Sequence, residues 1–258
     1  QSTVTNTMVL KKIIYRSQAV GINTFVVDIN SPSKKYAENI ALIQSHDIDY
    51  VARIVLFPGG ASPEDVNNHA LLENRYQLMD YAVSLGAKAI QLDYVRYKPT
   101  QFPSPENAKK INAVIKTFHD RLARRHVPLE IAVFGIASFA PSDYIGQNLK
   151  LFSKNVDGFA PMLYPSHFMP YPYYSARPYQ TILQALNALK MQFQGNVPVK
   201  VYAYIEASNY HYLSMAPKDR IHYISQEIKA VKEAKVDGFY VWSANNSYQY
   251  LFDAMGRA

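Results

Sequence analysis

The sequence predicts an α/β fold, a (β/α)8 TIM barrel whose first strand is partly missing or truncated at the N-terminus. Amphipathic helices alternate with short apolar strands from end to end, and 258 residues is a usual length for this fold. The alternative, a doubly wound open sheet, normally carries a Gly-rich phosphate turn, and none follows the first predicted strand. No linker or shift in composition divides the chain, so we predict a single domain over 1–258.

Each predicted helix ends in a small turn, and a strand follows it. The strands are predicted at 24–29, 50–57, 89–96, 129–135, 158–164, 199–206 and 238–243. The helices are predicted at 8–20, 34–45, 63–85, 105–125, 142–153, 179–193 and 217–234, with a short closing helix over 247–255. Because seven strands are one short of a barrel, we expect residues 1–5 at the end of strand one and number the others two to eight. Asp157 and Asp237 lie in turns before strands and are expected to be structural.

Composition limits the kinds of site. Hydrophobic residues make up 48% of the chain, which suits a folded protein with a sizeable core. The chain contains no cysteine, which excludes disulfides, thiolate nucleophiles, Cys-ligated zinc and iron–sulfur clusters. No His-x-x-x-His or EF-hand spacing occurs, and no Gly-x-Ser-x-Gly elbow indicates a serine hydrolase. We therefore predict no cofactor and no metal.

The net charge of +7 is modest for this length. Its densest basic cluster, at 121–126, falls at a predicted helix C-terminus, where cations favour the helix dipole. This favours a solvated helix end over a nucleic-acid patch, and we expect no nucleic-acid partner. No apolar run approaches the roughly 18 residues of a membrane span, and residues 1–10 do not form a signal peptide. We therefore expect no stable membrane insertion.

Acidic residues stand at the C-terminal ends of three predicted strands, where barrels place their chemistry. They are Asp28 on strand two, Asp93 on strand four and Glu206 on strand seven. Asp93 alone could equally pair with Arg96 or cap the following helix. Two carboxyl groups flanking a bond are what glycoside hydrolysis requires, at about 5–5.5 Å for retention or about 6.5–9.5 Å for inversion. The sequence does not give this distance.

Aromatic residues are abundant, with 21 Tyr and 12 Phe. The loop over 164–174 combines them with prolines, which reduce the entropy that a loop loses on binding. Residues that could add to a wall for stacking sugar rings are Tyr204, Tyr210, Tyr212, Trp242 and Tyr248. We expect at least half of these tyrosines to serve packing instead. His167 in this loop could bind a substrate hydroxyl or titrate near neutral pH, or simply be solvated.

Several segments together resemble a bacterial family of predicted glycoside hydrolases, formerly a domain of unknown function, with a (β/α)8 barrel. The most specific are the Asp-Tyr-Val-Arg motif at 93–96 and the Pro-Met-x-Tyr-Pro-Ser-His motif at 161–167. Others that follow in the family's order are 25–28, 52–55, 133–135, 145–147 and 242–245. The resemblance covers nearly the whole chain and implies a glycosidase with a carbohydrate substrate.

The chain departs from the family pattern at three positions near the strand ends. After strand seven the family tends to have Gln-Asp. This chain has Ile205-Glu206 there, which keeps an acidic residue and lacks the amide. Strand five has Ala132-Val133 where the family often has Asp before Phe-Gly, and Ser243 replaces an Asn after the Trp. These changes predict an altered substrate preference or a loss of catalysis.

The resemblance and the strand-end acids together predict Asp93 as nucleophile or base and Glu206 as proton donor. Asp28 and Arg96 would bind hydroxyls or keep the Asp93 carboxylate charged. Tyr94, Tyr164, His167, Trp242 and Asn245 would contact the substrate. We expect a secreted, periplasmic or cell-surface protein.

Two rival functions fit less well. The first is a non-catalytic carbohydrate-binding barrel. The second is a barrel enzyme for phosphorylated metabolites, which should carry a phosphate site after the last two strands. The loops there lack Gly-rich turns and nearby cations, so we rank this function third.

Overall fold

The computed structural model describes residues 2–99, 102–207 and 215–256. Within these residues, seven strands form one sheet in the order of the chain. They are β1 (Thr24–Asp28), β2 (Asp49–Val55), β3 (Ala89–Asp93), β4 (Leu129–Phe134), β5 (Gly158–Met162), β6 (Lys200–Glu206) and β7 (Gly238–Trp242). Consecutive parallel strands with helices between them are the arrangement of a (β/α)8 barrel with seven of its eight strands. The predicted fold class is therefore confirmed, with β1 as barrel strand two.

The helices alternate with these strands much as the sequence predicts. They are α1 (Ser2–Thr5), α2 (Thr7–Ala19), α3 (Lys34–Gln44), α4 (His69–Ser84), α5 (Pro105–Ala123), α6 (Leu149–Phe152), α7 (Tyr171–Ser175), α8 (Pro178–Gln192), α9 (Pro217–Ala234) and α10 (Gln249–Met255). None of the helices in the described segments is both long and apolar enough to cross a membrane.

The expectation that residues 1–5 end a first strand was wrong for the residues described. Ser2–Thr5 forms the single-turn helix α1, and Thr5 Oγ1 donates to the carbonyl of Ser2. Asn39 on α3 donates to the carbonyl of Val4 at 2.6 Å, which ties this turn to a helix. Asn6 then caps α2 by accepting from the N–H of Val9.

Two helices begin later than predicted. The helix predicted from residue 63 begins at His69, because Asn68 accepts from the N–H of Leu71 and caps it there. The helix predicted over 142–153 is reduced to α6. Ser142 and Gln147 instead exchange two backbone hydrogen bonds across a turn, and Gly146 in that turn has a φ of +62°.

The chain divides into two compact units, and the prediction of one domain over 1–258 stays a prediction. The first unit comprises Gln1–Ala132 and Ser142–Gly158. In it, β1 pairs with β2 and β2 with β3, both parallel, so that Asp28 lies beside Arg53 and Val55 beside Asp93. Strand β3 is buried throughout, as a strand covered on both faces should be.

The second unit comprises Val133–Pro141 and Phe159–Ala258. In it, β6 pairs with β7 in parallel, with Glu206 opposite Trp242. Helix α9 begins at Pro217 and ends at Ala234, as predicted, and Tyr223 and Glu227 lie on its buried side. From this helix Tyr223 contacts the carboxylate of Glu206, and Glu227 contacts its backbone N–H.

The sequence Val-Asp-Gly-Phe occurs twice, at 156–159 and 236–239, and both copies make the same contacts. Asp157 donates its backbone N–H to the carbonyl of Leu129, and its Oδ2 accepts the N–H of the same residue, both at 2.8 Å. Asp237 does the same with Val201, at 3.0 and 2.9 Å. The expectation that these aspartates are structural is confirmed.

Candidate functional site

In the first unit, one arginine joins two of the predicted acidic residues. Arg53 Nη1 donates to Asp28 Oδ1 at 2.6 Å, and its Nε and Nη2 donate to Asp93 Oδ2 at 3.0 and 2.5 Å. We call Asp28, Arg53 and Asp93 the aspartate–arginine cluster. Burial lowers the pKa of Arg53, but the two carboxylates outweigh burial and raise it above the ordinary arginine value. The guanidinium is therefore a fixed positive charge between two carboxylates.

The second oxygen of Asp93 is also engaged. Tyr94 directs its backbone N–H at Asp93 Oδ1, at 2.5 Å. Tyr94 has a φ of +56°, a left-handed conformation that is uncommon for a bulky residue and often occurs at functional sites. The Asp93 side chain is only 8% exposed, whereas that of Asp28 is 42% exposed. The cluster thus fixes the Asp93 carboxylate and leaves Asp28 more open to solvent.

Arg96 lies in the same unit and contacts its neighbours in the chain. Its Nη1 donates to the carbonyl of Tyr97 at 2.9 Å, and its guanidinium lies 5.5 Å from the centre of the Tyr94 ring. Gly60 makes room for it, because a Cβ there would lie 2.7 Å from Arg96 Nη1. The arginine that hydrogen bonds to Asp93 is therefore Arg53. The roles predicted for Arg96 and Tyr94 toward a substrate stay predictions.

In the second unit, Glu206 is the centre of a network that we call the glutamate–histidine cluster, formed by Ser166, His167, Glu206, Tyr223 and Glu227. Ser166 donates its N–H to Glu206 Oε1 at 2.9 Å and its Oγ–H to Oε2 at 2.6 Å. Tyr223 donates its hydroxyl to Oε1 at 2.7 Å. The side chain of Glu206 is 0% exposed. As placed, this carboxylate accepts hydrogen bonds and has no exposed surface for donating a proton to a substrate.

Glu227 lies beneath Glu206 and is itself fully buried. Its Oε1 accepts the backbone N–H of Glu206 at 3.2 Å, and its Oε2 has no hydrogen-bond partner among the described residues. Burial, followed by the nearby Glu206 charge, raises the pKa of Glu227 well above the ordinary glutamate value. Burial and the neighbouring Glu206 therefore favour the protonated form of Glu227.

His167 stands at the more exposed side of this cluster. Its Nδ1 lies 3.2 Å from Ser166 Oγ and 3.7 Å from Glu206 Oε2, and its side chain is 44% exposed. The ring meets Tyr164 and Trp242 edge-on, at centroid distances of 5.4 and 6.0 Å. Those two rings stack on each other at 5.0 Å with 21° between their planes.

The position of His167 depends on a tight turn after β5. Residues Pro165–His167 form a single 3-10 turn, and Phe168 follows it. Phe168 packs on Gly135 so closely that a Cβ there would lie 2.4 Å from its Cζ and 2.7 Å from the carbonyl oxygen of Met162. Gly135 therefore lets Phe168 anchor the turn that carries His167.

The predicted aromatic wall is only partly described. Tyr164 and Tyr204 are buried, and Tyr204 also packs against Tyr240 at 5.2 Å, so both serve packing. Trp242 is half-buried, and Tyr248 packs on Phe252. Tyr210 and Tyr212 lie outside the described residues. Asn245 is exposed in the turn after β7 and accepts from the Oγ of Ser243 at 3.0 Å.

Sequence reasoning placed Asp28, Asp93 and Glu206 at strand ends, and the structure has them there. Their predicted catalytic and binding roles stay predictions. It missed Arg53, although a charged residue inside the apolar strand β2 was a signal. It also missed Tyr223 and Glu227, which read as ordinary positions on an amphipathic helix. Within the residues that the structure describes, no group of three or more His, Asp or Glu side chains is placed to hold a metal ion.

Comparison with solved structures shows the fold. The Bacillus cereus spore cortex-lytic enzyme SleL is 11% identical with a TM-score of 0.68, over 96% of this chain and 70% of that one. A class V chitinase from Pseudomonas fluorescens Pf-5 is 16% identical with a TM-score of 0.66, over 94% of each chain. A chitinase from Chromobacterium violaceum is 12% identical with a TM-score of 0.64, over 96% of this chain and 94% of that one. At these identities the likeness concerns the fold alone.

Comparison with family models is more specific. Residues 64–248, well over half of the chain, match the family described as "Putative glycosyl hydrolase domain". No curated protein matches the sequence. The chain therefore belongs to this glycosyl hydrolase family, which confirms the predicted glycosidase and its carbohydrate substrate at the level of the family.

Proposed function

We propose that this chain hydrolyses glycosidic bonds in a polysaccharide or oligosaccharide outside the cytoplasm, as a secreted bacterial enzyme that uses Asp93 and Glu206. The observation that carries the proposal is the way Arg53 holds Asp93 at the end of β3. The guanidinium fixes the position of this carboxylate, which a nucleophile or general base requires. The chitinases and spore cortex-lytic enzymes of similar fold support a polymeric glycan as substrate.

The other predicted site residues are assigned to substrate binding. Asp28 shares Arg53 with Asp93 and is open enough to accept a sugar hydroxyl. The predicted substrate contacts are Tyr94, Arg96, Tyr164, His167, Trp242 and Asn245. Glu206 is the second acidic residue of the proposal, and its burial means that its effect on a substrate passes through the side chains around it.

One observation favours a second candidate, a carbohydrate-binding barrel without catalysis. The predicted proton donor, Glu206, has no exposed surface and accepts hydrogen bonds at both oxygens. In that case the aromatic residues would bind a glycan without cleaving it.

A glycan panel scored by reducing-end release tests the proposal. The wild-type protein should release reducing ends from at least one glycan. Asp93→Asn should lose at least about 100-fold in rate, the lower end of what a general acid or base contributes. Asp49→Asn is the matched control, because Asp49 stands at the opposite end of β2 and is exposed. Retained hydrolysis by Asp93→Asn would sink the assignment, and binding without hydrolysis by the wild type would favour the second candidate.

A further inference from the structure

The hydroxyl of Ser166 lies between a buried carboxylate and an exposed imidazole. Its Oγ is 2.6 Å from Glu206 Oε2 and 3.2 Å from His167 Nδ1. The other carboxylate oxygen, Oε1, already accepts from the N–H of Ser166 and from Tyr223. Oε2 is therefore the oxygen of Glu206 that faces His167.

The direction in which the Ser166 hydroxyl donates its hydrogen determines which ring nitrogen of His167 is protonated. A hydroxyl has one hydrogen to donate, and the short contact to Glu206 Oε2 takes it, because a carboxylate can only accept. The contact between Ser166 Oγ and His167 Nδ1 then requires the hydrogen to lie on Nδ1. In a neutral imidazole with Nδ1 protonated, Nε2 carries a lone pair and accepts hydrogen bonds.

We infer that Glu206 and Ser166 are positioning residues that hold His167 as the Nδ1–H tautomer, so that its Nε2 accepts a hydrogen bond from a sugar hydroxyl. The ring is placed for this, since it is 44% exposed and stands edge-on to the stacked pair Tyr164 and Trp242. In this arrangement the Glu206 carboxylate influences the substrate through Ser166 and His167. The sugar contact rests on the proposed function, whereas the tautomer does not.

The other contacts of Glu206 are consistent with Ser166 donating its hydroxyl hydrogen to Glu206 Oε2. From α9, Tyr223 donates its hydroxyl to Glu206 Oε1, and Glu227 accepts the backbone N–H of Glu206. Glu206 Oε2 accepts from Ser166 Oγ, and His167 Nδ1 lies 3.7 Å from it; both residues belong to the turn after β5. The His167 ring is thus the exposed group of this cluster that Glu206 orients through Ser166.

Nitrogen NMR of the full chain labelled at its histidines tests the tautomer without any substrate. The chain has seven histidines, and the spectrum of His167→Gln assigns the resonances of His167. At a pH where the ring is neutral, the wild type should show Nδ1 protonated and Nε2 unprotonated. Ser166→Ala, which removes only the hydroxyl, should shift His167 toward the Nε2–H tautomer. A wild-type ring protonated at Nε2, or one unchanged in Ser166→Ala, overturns the inference.

Kinetics on a glycan that the panel identifies test the sugar contact. His167→Ala should raise KM about 3- to 10-fold, as for one lost hydrogen bond, with kcat changed less. His167→Gln should recover most of the loss, because its amide oxygen can accept near the position of Nε2. An unchanged KM in His167→Ala overturns the contact. If the wild type hydrolyses no glycan, the proposed function fails, and the NMR result still decides the tautomer.

Discussion

Arg53 donates two hydrogen bonds to one carboxylate oxygen of Asp93, from Nε at 3.0 Å and from Nη2 at 2.5 Å. Its third hydrogen bond goes to Asp28, so a single side chain fixes two acids at the ends of β1 and β3. Lysine has a point charge and no planar fork, so it cannot reproduce this geometry. The position is therefore sensitive to both charge and shape.

Replacing Arg53 should destabilise the protein and impair catalysis together. We expect Arg53→Met to lower the free energy of unfolding by about 3 kcal/mol, the low end for breaking a buried ion pair, since the Arg53 side chain is 24% exposed. Arg53→Lys should lose less stability and still lower kcat, because Asp93 is no longer fixed. Urea unfolding and initial rates measure the two effects.

A double-mutant cycle distinguishes a direct interaction between Arg53 and Asp93 from a general loss of stability. Arg53→Met and Asp93→Asn should couple by at least about 0.5 kcal/mol in the free energy of unfolding, as residues in direct contact do. The matched cycle uses Arg53→Met with Asp49→Asn and should be additive. Additivity in both cycles would contradict the role assigned to Arg53.

Glu227 should make stability depend on pH. Its folded-state pKa is raised, so the folded state binds the extra proton and the free energy of unfolding falls as pH rises above the ordinary glutamate pKa. The loss is at most about 1.4 kcal/mol per pH unit. Glu227→Gln keeps the shape and cannot ionise, so its stability relative to wild type should increase from pH 5 to pH 8.

Urea unfolding over that pH range measures the difference. Glu38→Gln serves as the control, because it makes the same chemical change at a half-exposed glutamate on α3. A constant difference between Glu227→Gln and wild type across the range would show that Glu227 is ionised in the folded protein.

Gly135 should tolerate no side chain. In Gly135→Ala the new Cβ would meet Phe168 Cζ at 2.4 Å and the Met162 carbonyl oxygen at 2.7 Å. We expect a loss of about 1–3 kcal/mol in the free energy of unfolding, as for overpacking, and a lower kcat/KM because the turn that carries His167 moves. Adding Phe168→Leu should restore part of both. Full activity in Gly135→Ala would show that this turn does not depend on Phe168.

Periodicity and caps predicted most of the fold. Pro217 begins α9 and Ala234 ends it as expected, because proline at the first turn is a local signal. The predictions failed where two local sequence signals competed for the same segment. Asn68 caps α4 and overrides the earlier proline, and Gly146 closes a turn inside a stretch with helical periodicity.

The candidate site was predictable only in part. The acids at strand ends follow from strand boundaries, which are local features. Contacts between Glu206 and Ser166 join residues 40 apart, and those between Arg53 and Asp93 also join residues 40 apart, so neither has a local pattern. Sequence reasoning considered Arg96 as a partner of Asp93 because it is near in sequence, whereas Arg53 lies on the neighbouring strand β2, where it pairs with Gln91.

The contacts of Asp237 bear on the glutamate–histidine cluster through the alignment of β6 and β7. By exchanging two hydrogen bonds with Val201, Asp237 fixes the alignment of β7 against β6 at the start of both strands. A slip of one residue would turn every side chain of a strand to the opposite face. At the far end, the same alignment places Glu206 opposite Trp242. Asp237 therefore determines, from a full strand length away, which residues of β6 and β7 lie side by side where the chemistry is expected.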